Sequence, residues 1–139
     1  MNKKRPNLFK YLLLIYLGIS NVQAATDCNQ VTEIPKIECD ALMMLYSSTN
    51  GANWENNRDW DVTNMPCNWG GVGCSDGHVW SLSLDSNQLS GLIPPELGNL
   101  SNLQNLFLHS NQLSGSIPPE LGNLSNLQGL LLHSNQLSG

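Results

Sequence analysis

The chain has 139 residues, a length that suits one domain, with six Lys and Arg against eleven Asp and Glu for a formal charge of −5. Four of the six cations (Lys3, Lys4, Arg5 and Lys10) stand in the first ten residues, so beyond them only Lys36 and Arg58 oppose all eleven acids and the formal charge is −9. That balance excludes nucleic acid and anionic membrane surfaces as partners, because phosphate contacts need clustered Lys and Arg.

Asn2-Lys3-Lys4-Arg5 gives a basic start, Leu8 to Ile19 an apolar run broken only by Lys10, and Val22-Gln23-Ala24 ends on a small residue of the kind signal peptidase requires. Residues 1–24 are therefore expected to be a secretory signal peptide cleaved near Ala24. A membrane anchor is disfavoured, since the apolar core from Tyr11 to Ile19 is far short of the roughly 20 residues that span a bilayer. No second hydrophobic stretch follows, so no membrane span is expected in the mature chain. The mature protein, about 115 residues, is placed outside the cytoplasm: secreted or at the cell surface, or periplasmic or on the outer surface if the source is bacterial.

All four cysteines (Cys28, Cys39, Cys67 and Cys74) lie beyond the cleavage point, and an even count in an exported chain implies disulfides. Four cysteines allow three connectivities. Cys28 with Cys39 and Cys67 with Cys74 are favoured, because each closes a short local loop where little else forms a core. The intervening gaps of ten, twenty-seven and six residues match no CxxC pair, which disfavours zinc. No metal and no cofactor is expected.

Residues 35–48 predict a helix. Ile37, Ala41, Leu42, Leu45 and Tyr46 share one face at helical spacing, Pro35 suits a first turn, and Asn50-Gly51 is a stop signal. Beyond it Trp54, Trp60, Cys67, Trp69 and Cys74 form a dense set of large side chains bracketed by thiols. Exposed indoles stack on sugars, so a carbohydrate platform is one reading. The core of a small cap is favoured, because a segment of this size has few other residues able to bury area.

From Val79 the chain repeats itself. Leu82-Ser-Leu84-Asp-Ser-Asn87-Gln-Leu89-Ser-Gly91 returns 24 residues later as Leu106-Phe-Leu108-His-Ser-Asn111-Gln-Leu113-Ser-Gly115, and again as Leu130-Leu-Leu132-His-Ser-Asn135-Gln-Leu137-Ser-Gly139. Between these blocks Ile93-Pro94-Pro95-Glu96-Leu97-Gly98-Asn99-Leu100 recurs from Ile117 to Leu124. Leu-x-Leu alternates as a short strand does, with Leu82 and Leu84 inward and Ser81, Ser83 and Asp85 outward, so stacked units place their strands in one parallel sheet. Asn87, Asn111 and Asn135 stand where the chain leaves each strand, and their amides suit the backbone groups that such a turn leaves unpaired. The Pro-Pro pairs forbid a regular helix interior on the return path and favour extended or short 3₁₀ segments.

The pattern Leu-x-x-Leu-x-Leu-x-x-Asn-x-Leu-Ser-Gly-x-Ile-Pro-x-x-Leu-Gly closely resembles the plant-specific class of leucine-rich repeats found in receptor-kinase ectodomains and polygalacturonase inhibitors. The resemblance implies an α/β solenoid, a right-handed superhelix with short parallel strands on its concave face, a second sheet from the Leu-Ser-Gly-x-Ile-Pro stretch, and a helical, disulfide-stapled N-terminal cap. Such a cap is also expected physically, because a solenoid exposes the edge of its apolar core at each end. Cys67-Asn-Trp69-Gly-Gly71-Val72-Gly-Cys74 looks like the end of that cap, whose two cysteines form a disulfide in the family. Cys28 to Ile37 departs from the plant arrangement and looks more like the cap of exported bacterial repeat proteins. The organisation expected is residues 1–24 signal peptide, 25–78 cap, and 79–139 repeats, two full and a third incomplete. Leu130, Leu132 and Leu137 would form a bare apolar edge at Gly139, so a longer array is expected.

On this scaffold recognition belongs to the outward strand positions, because the inward ones are committed to packing. They form three columns: Ser81, Asn105 and Gly129; Ser83, Phe107 and Leu131; Asp85, His109 and His133. Phe107 beside Leu131 on a solvated face is a contact candidate, against the reading that single surface hydrophobes are ordinary. Asp85, His109 and His133 suggest a titrating ladder or a metal pair, against simple repetition of His-Ser-Asn-Gln, which is favoured. Asn99-Leu-Ser101 and Asn123-Leu-Ser125 satisfy the N-glycosylation sequon, which is meaningful in a eukaryotic secretory pathway and accidental in a bacterium.

These positions imply a binding module for a protein, peptide or glycan ligand. A structural or adhesive surface protein is the alternative, with the ectodomain fragment of a receptor kinase a further one. An enzyme is disfavoured, since the chain has no Gly-x-Ser-x-Gly elbow, no His-Glu-x-x-His and none of the protein-kinase motifs. A triad of Asp85, His109 and Ser110 would lie on a shallow strand surface without an evident oxyanion hole.

Overall fold

The structure is a computed structural model that describes residues 25–139; the expected signal peptide at residues 1–24 lies outside the described residues. Helix α1 spans Lys36–Ser48 and starts directly after Pro35, whose φ of −57° suits the entry and which has no amide proton to leave unpaired. It ends where the Thr49 N–H and hydroxyl both donate to the Leu45 carbonyl, at 3.1 and 2.6 Å, and Asn50 turns into the left-handed region at φ 63°.

The buried stripe of α1 is Glu38, Cys39, Ala41, Leu42 and Leu45. This corrects the expected face at one position, since Ile37 is 55% exposed. Two tethers in the first turn set the roll of the helix. Cys39 is bonded to Cys28, and the Glu38 carboxylate accepts the Val79 N–H at 2.8 Å and meets His78 Nδ1 at 2.7 Å. Ile37 is one residue, about 100° of helical rotation, away from Glu38 and faces outward.

The rest of the cap closes on this helix. Tyr46 stacks on Trp60 at 6.0 Å, Trp54 meets Trp60 edge-on at 5.0 Å, and Trp69 lies 4.9 Å from Trp60. All three cap indoles are buried and each N–H has a partner: Trp54 donates to the Thr49 carbonyl, Trp60 to the Gly70 carbonyl, and Trp69 to Thr63 Oγ1. They form a core, and no sugar platform, because no ring face is presented to solvent. A second disulfide joins Cys67 and Cys74, and the Glu33 carboxylate accepts the Cys67 N–H at 3.1 Å, fastening the N-terminal segment to this loop.

Burial raises the Tyr46 phenol above its usual 10.0, and the Asp61 carboxylate pushes it the same way. The folded state then holds the phenolic proton more tightly than the unfolded chain, so this stabilisation is complete below about pH 10 and is lost as pH rises through the folded pKa. Tyr46 is the one tyrosine after residue 24. Tyrosinate absorbance of the chain lacking residues 1–24 is therefore expected to rise above the usual phenol pH together with loss of circular dichroism, and Tyr46→Phe should move unfolding to higher pH. Identical alkaline transitions in both proteins would count against the assignment.

Past the cap, β1 (Val72–Ser75) and β2 (His78–Ser83) form an antiparallel pair, and β4 (Asn105–Phe107) and β6 (Gly129–Leu131) add to β2 in parallel. A second, parallel sheet runs β3 (Ser90–Leu92), β5 (Gln112–Ser116) and β7 (Gln136–Ser138). The Pro-Pro segments make short 3₁₀ turns at Pro95–Asn99 and Pro119–Asn123. Between the sheets, Val79, Leu82, Leu84, Leu89, Leu97, Leu100, Leu103, Leu106, Leu108 and Leu113 are buried. Gly91, at φ 105°, is where the first repeat passes the end of α1; a Cβ there would strike the Ser48 carbonyl, and the neighbouring Ser90 N–H donates to the Thr49 carbonyl at 3.2 Å.

The asparagines join the units. Asn111 Oδ1 accepts the N–H groups of Asn87 and Leu89, while its amide donates to the carbonyls of Leu84, Leu108 and His109. Asn135 repeats this toward Leu113, Leu108 and Leu132. Asn87 has no earlier repeat and bonds instead to the backbone N–H and carbonyl of Asn56, so the cap loop supplies the missing rung. Ser86, Ser110 and Ser134 precede these asparagines at φ 51°, 57° and 57°, a left-handed conformation that the rung holds in every unit.

Candidate ligand-binding face

Register aligns the outward positions across the first sheet. Ser81 pairs with Asn105 and Asn105 with Gly129; Ser83 pairs with Phe107 and Phe107 with Leu131. Beyond the strand ends the ladder continues through Leu84 N–H to the Phe107 carbonyl and Ser86 N–H to the His109 carbonyl, which places Asp85 beside His109, and Ser110 N–H to the His133 carbonyl places His109 beside His133.

The middle column is apolar. Phe107 is half-buried, and a Cβ on Gly129 would stand 3.0 Å from the edge of its ring, so the glycine leaves room for the ring beside β6. Leu131 beside it is 38% exposed. Together they make an apolar strip between a column of Ser81, Asn105 and Gly129 and a column of Asp85, His109 and His133.

The third column is a stack. The His109 and His133 rings lie 4.8 Å apart with planes 27° from parallel, and Asp85 Oδ2 stands 3.8 Å from His109 Nε2. Ring-nitrogen lone pairs lie in the ring plane, so near-parallel rings aim them side by side and not at one ion. Among the described residues no group of three or more His, Cys, Asp or Glu side chains is placed to hold a metal. The 3.8 Å separation is too long for a hydrogen bond, and His109 Nδ1 is buried without a partner. Ser110 makes no hydrogen bond to either ring among the described residues; the Ser–ring contact present is Ser134 Oγ with His133 Nδ1 at 3.2 Å. No relay runs through Asp85, His109 and Ser110.

At the junction of cap and repeats a hollow of about 280 Å³ opens beside this column, lined among others by Glu55, Asn56, Ser83, Asp85 and Ser86. Its two carboxylates and absence of lining cations make it acidic. Asn99 and Asn123 are exposed at the ends of the 3₁₀ turns, on the return path away from these columns.

Trp80 is an outward residue that strand alternation alone does not reveal. Gly73 pairs with Ser81 and Cys74 with Val79, so Trp80 is the extra residue of a bulge in β2. Regular alternation would send it inward with Leu82; the bulge leaves it 37% exposed at the margin of the face. The signal was the spacing Val79-x-x-Leu82-x-Leu84, in which residue 80 is not an inward position.

Comparison with known proteins agrees with this architecture. Residues 37–75 match the leucine rich repeat N-terminal domain, and residues 78–100 and 102–124 match the leucine rich repeat. The chain is a capped leucine-rich-repeat protein. A probable leucine-rich repeat receptor-like protein kinase of Arabidopsis thaliana is 34% identical to this repeat protein over 105 residues, 73% of this chain and 10% of the kinase. The repeat protein thus spans about a tenth of that relative's length. Among solved structures, the BIR2 ectodomain of Arabidopsis thaliana superposes with a TM-score of 0.63 at 34% identity, covering 82% of this chain and 58% of that one. A plant ice-binding protein superposes with a TM-score of 0.64 at 29% identity, over 78% and 36%. Neighbours with such different names carry one scaffold, so function has to be read from the exposed side chains. No helix of the described residues is long and apolar enough to cross a membrane.

Proposed function

We propose that this repeat protein is an extracellular recognition module that binds a protein or peptide ligand across the sheet formed by β2, β4 and β6. The observation that carries the reading is the Phe107–Leu131 strip, two adjacent apolar side chains held outward by strand register. Beside it lies the acidic hollow with Glu55 and Asp85, and only Lys36 and Arg58 oppose the acids after residue 24. A partner segment carrying an apolar or aromatic anchor next to Lys or Arg complements both features. The relatives' description as receptor-like kinases supports an outside location and a role in recognition.

Panning a displayed random-peptide library on the immobilised chain tests this. Enriched peptides are expected to combine an apolar residue with Lys or Arg and to weaken as salt rises. The double change Phe107→Ala, Leu131→Ala should lower their affinity by roughly ten- to a hundredfold, because each truncated anchor costs about 1 kcal/mol or more. Binding left intact by that double change would overturn the proposal.

A further inference from the structure

The margin of the same sheet carries a second, chemically different site. The Trp80 indole lies against the backbone of β1 at Gly73, where a Cβ would stand 3.2 Å from Nε1 and 3.4 Å from Cε2. A glycine there lets one edge of the ring rest on the strand while the side chain keeps 37% of its surface exposed. The bulge that turns Trp80 outward also fixes it, since its neighbours Val79 and Ser81 are both paired to β1. Beside the ring opens a hollow of about 200 Å³ lined by Ser75, Asp76, Trp80, Asn102, Gln104 and Asn126.

That lining consists of one aromatic plate with three amides, a hydroxyl and a carboxylate, and it includes no Lys, Arg or second apolar residue. Asn126 donates to the Ser101 carbonyl at 2.8 Å and Ser75 to Asp76 at 3.1 Å. Among the described residues, the Asn102 and Gln104 side-chain amides that line the hollow have no hydrogen-bond partner in the chain and are available to a ligand. An aromatic face beside unpaired amides is the chemistry that recognises a pyranose: the ring's C–H face stacks on the indole, and vicinal hydroxyls both donate to and accept from amides. A protein anchor would instead seek an apolar floor, which is found at Phe107 and Leu131. The Asp76 carboxylate and the lack of a cation disfavour uronic, sulfated or sialylated sugars.

We infer that the Trp80 hollow is a subsite for a neutral oligosaccharide of β-linked, all-equatorial pyranoses, whose flat, unbroken C–H faces suit a single aromatic plate. It stands apart from the peptide-binding reading of the middle column and survives if that reading fails.

The test exploits the tryptophans. Of the four in the chain, Trp54, Trp60 and Trp69 are buried and Trp80 is exposed, so a ligand on this hollow changes the emission of one residue. Titrating the chain with cellohexaose or chitohexaose is expected to give a saturable fluorescence change that Trp80→Phe abolishes. By calorimetry, Trp80→Ala should lose at least about tenfold in affinity, as expected for an aromatic that supplies the stacking surface. Phe107→Ala, Leu131→Ala should leave sugar binding unchanged, which separates the two sites. Circular dichroism of Trp80→Ala, expected to match the parent because the residue is outside the core, keeps a loss of binding interpretable. The inference is overturned if neither sugar binds, if Trp80→Ala binds as well as the parent, if an oligogalacturonide binds more tightly than cellohexaose and chitohexaose, or if Trp80→Ala abolishes binding of a panned peptide while both neutral sugars are ignored.

Discussion

Asn111→Ala is expected to destabilise the chain by about 4 kcal/mol, a large share of the 5–15 kcal/mol that holds a typical domain. The side chain serves five backbone groups at once: the N–H groups of Asn87 and Leu89 and the carbonyls of Leu84, Leu108 and His109. Truncation leaves the Asn87 and Leu89 N–H groups and the Leu84 carbonyl without partners at a half-buried position, while the His109 carbonyl keeps the Ser86 N–H and the Leu108 carbonyl keeps the Asn135 amide; each unmet group costs about 1–3 kcal/mol where water does not reach it. Asn111→Asp should do no better. It keeps the acceptor for two N–H groups but turns a carboxylate toward three carbonyl oxygens. Neighbouring Ser110→Ala is the control, because Ser110 is exposed. Urea denaturation followed by circular dichroism checks all three; a loss below about 0.5 kcal/mol for Asn111→Ala, the level of an ordinary surface change, would remove the ladder as a source of cohesion between units.

Trp60→Ala should be similarly severe, at about 4 kcal/mol, and for a different reason. Trp60 is the ring that Tyr46, Trp54 and Trp69 all touch, and it is almost wholly buried. Its removal opens a cavity among three large neighbours, the situation in which aromatic truncation costs about 3–5 kcal/mol. It also strands the Gly70 carbonyl, which accepts the Trp60 N–H at 2.8 Å. Trp60→Phe refills most of the space without the hydrogen bond and is expected to recover about half the loss. The effect should appear first as loss of the cap, read by fluorescence of Trp54 and Trp69 becoming solvated. A Trp60→Ala protein of parental stability would mean that the cluster does not hold the cap together.

The architecture was legible because repetition writes it several times. One Leu-x-Leu is a weak sign of a strand, but three copies at a step of 24 residues fix which side of each strand is inward and which residues become neighbours, and strand register places Ser83, Phe107 and Leu131 in one row. The local pairing of the cysteines followed from loop length in the same direct way. What periodicity does not carry is rotation about an axis that only tertiary contacts set. Ile37 has the right spacing for a core residue, yet the Cys39 tether and the Glu38 carboxylate roll α1 so that a charged residue goes in and an isoleucine comes out. The use of Glu38 was invisible for that reason: its partners His78 and Val79 are forty residues away in the chain. Trp80 escaped for a related reason, since alternation counted back from Leu82 sends it inward and only the spacing Val79-x-x-Leu82 marks the bulge that the pairing with β1 makes. In the histidine column, proximity followed from the period, but ring orientation, which separates a stack from a chelate, did not.

Because the turns at Asn87 and Asn111 are each closed by the asparagine amide of the unit after it, and Asn87 closes the cap loop at Asn56 in the same way, the rung between neighbours has one pattern along the array. An insertion or deletion of one whole 24-residue unit returns every asparagine to a valid set of partners, whereas any other length sends the next asparagine to the wrong carbonyls. Array length can therefore change in whole steps of 24 residues without disturbing the rungs. The exposed column residues, which take no part in the rung, are then free to diverge one unit at a time into a new binding surface.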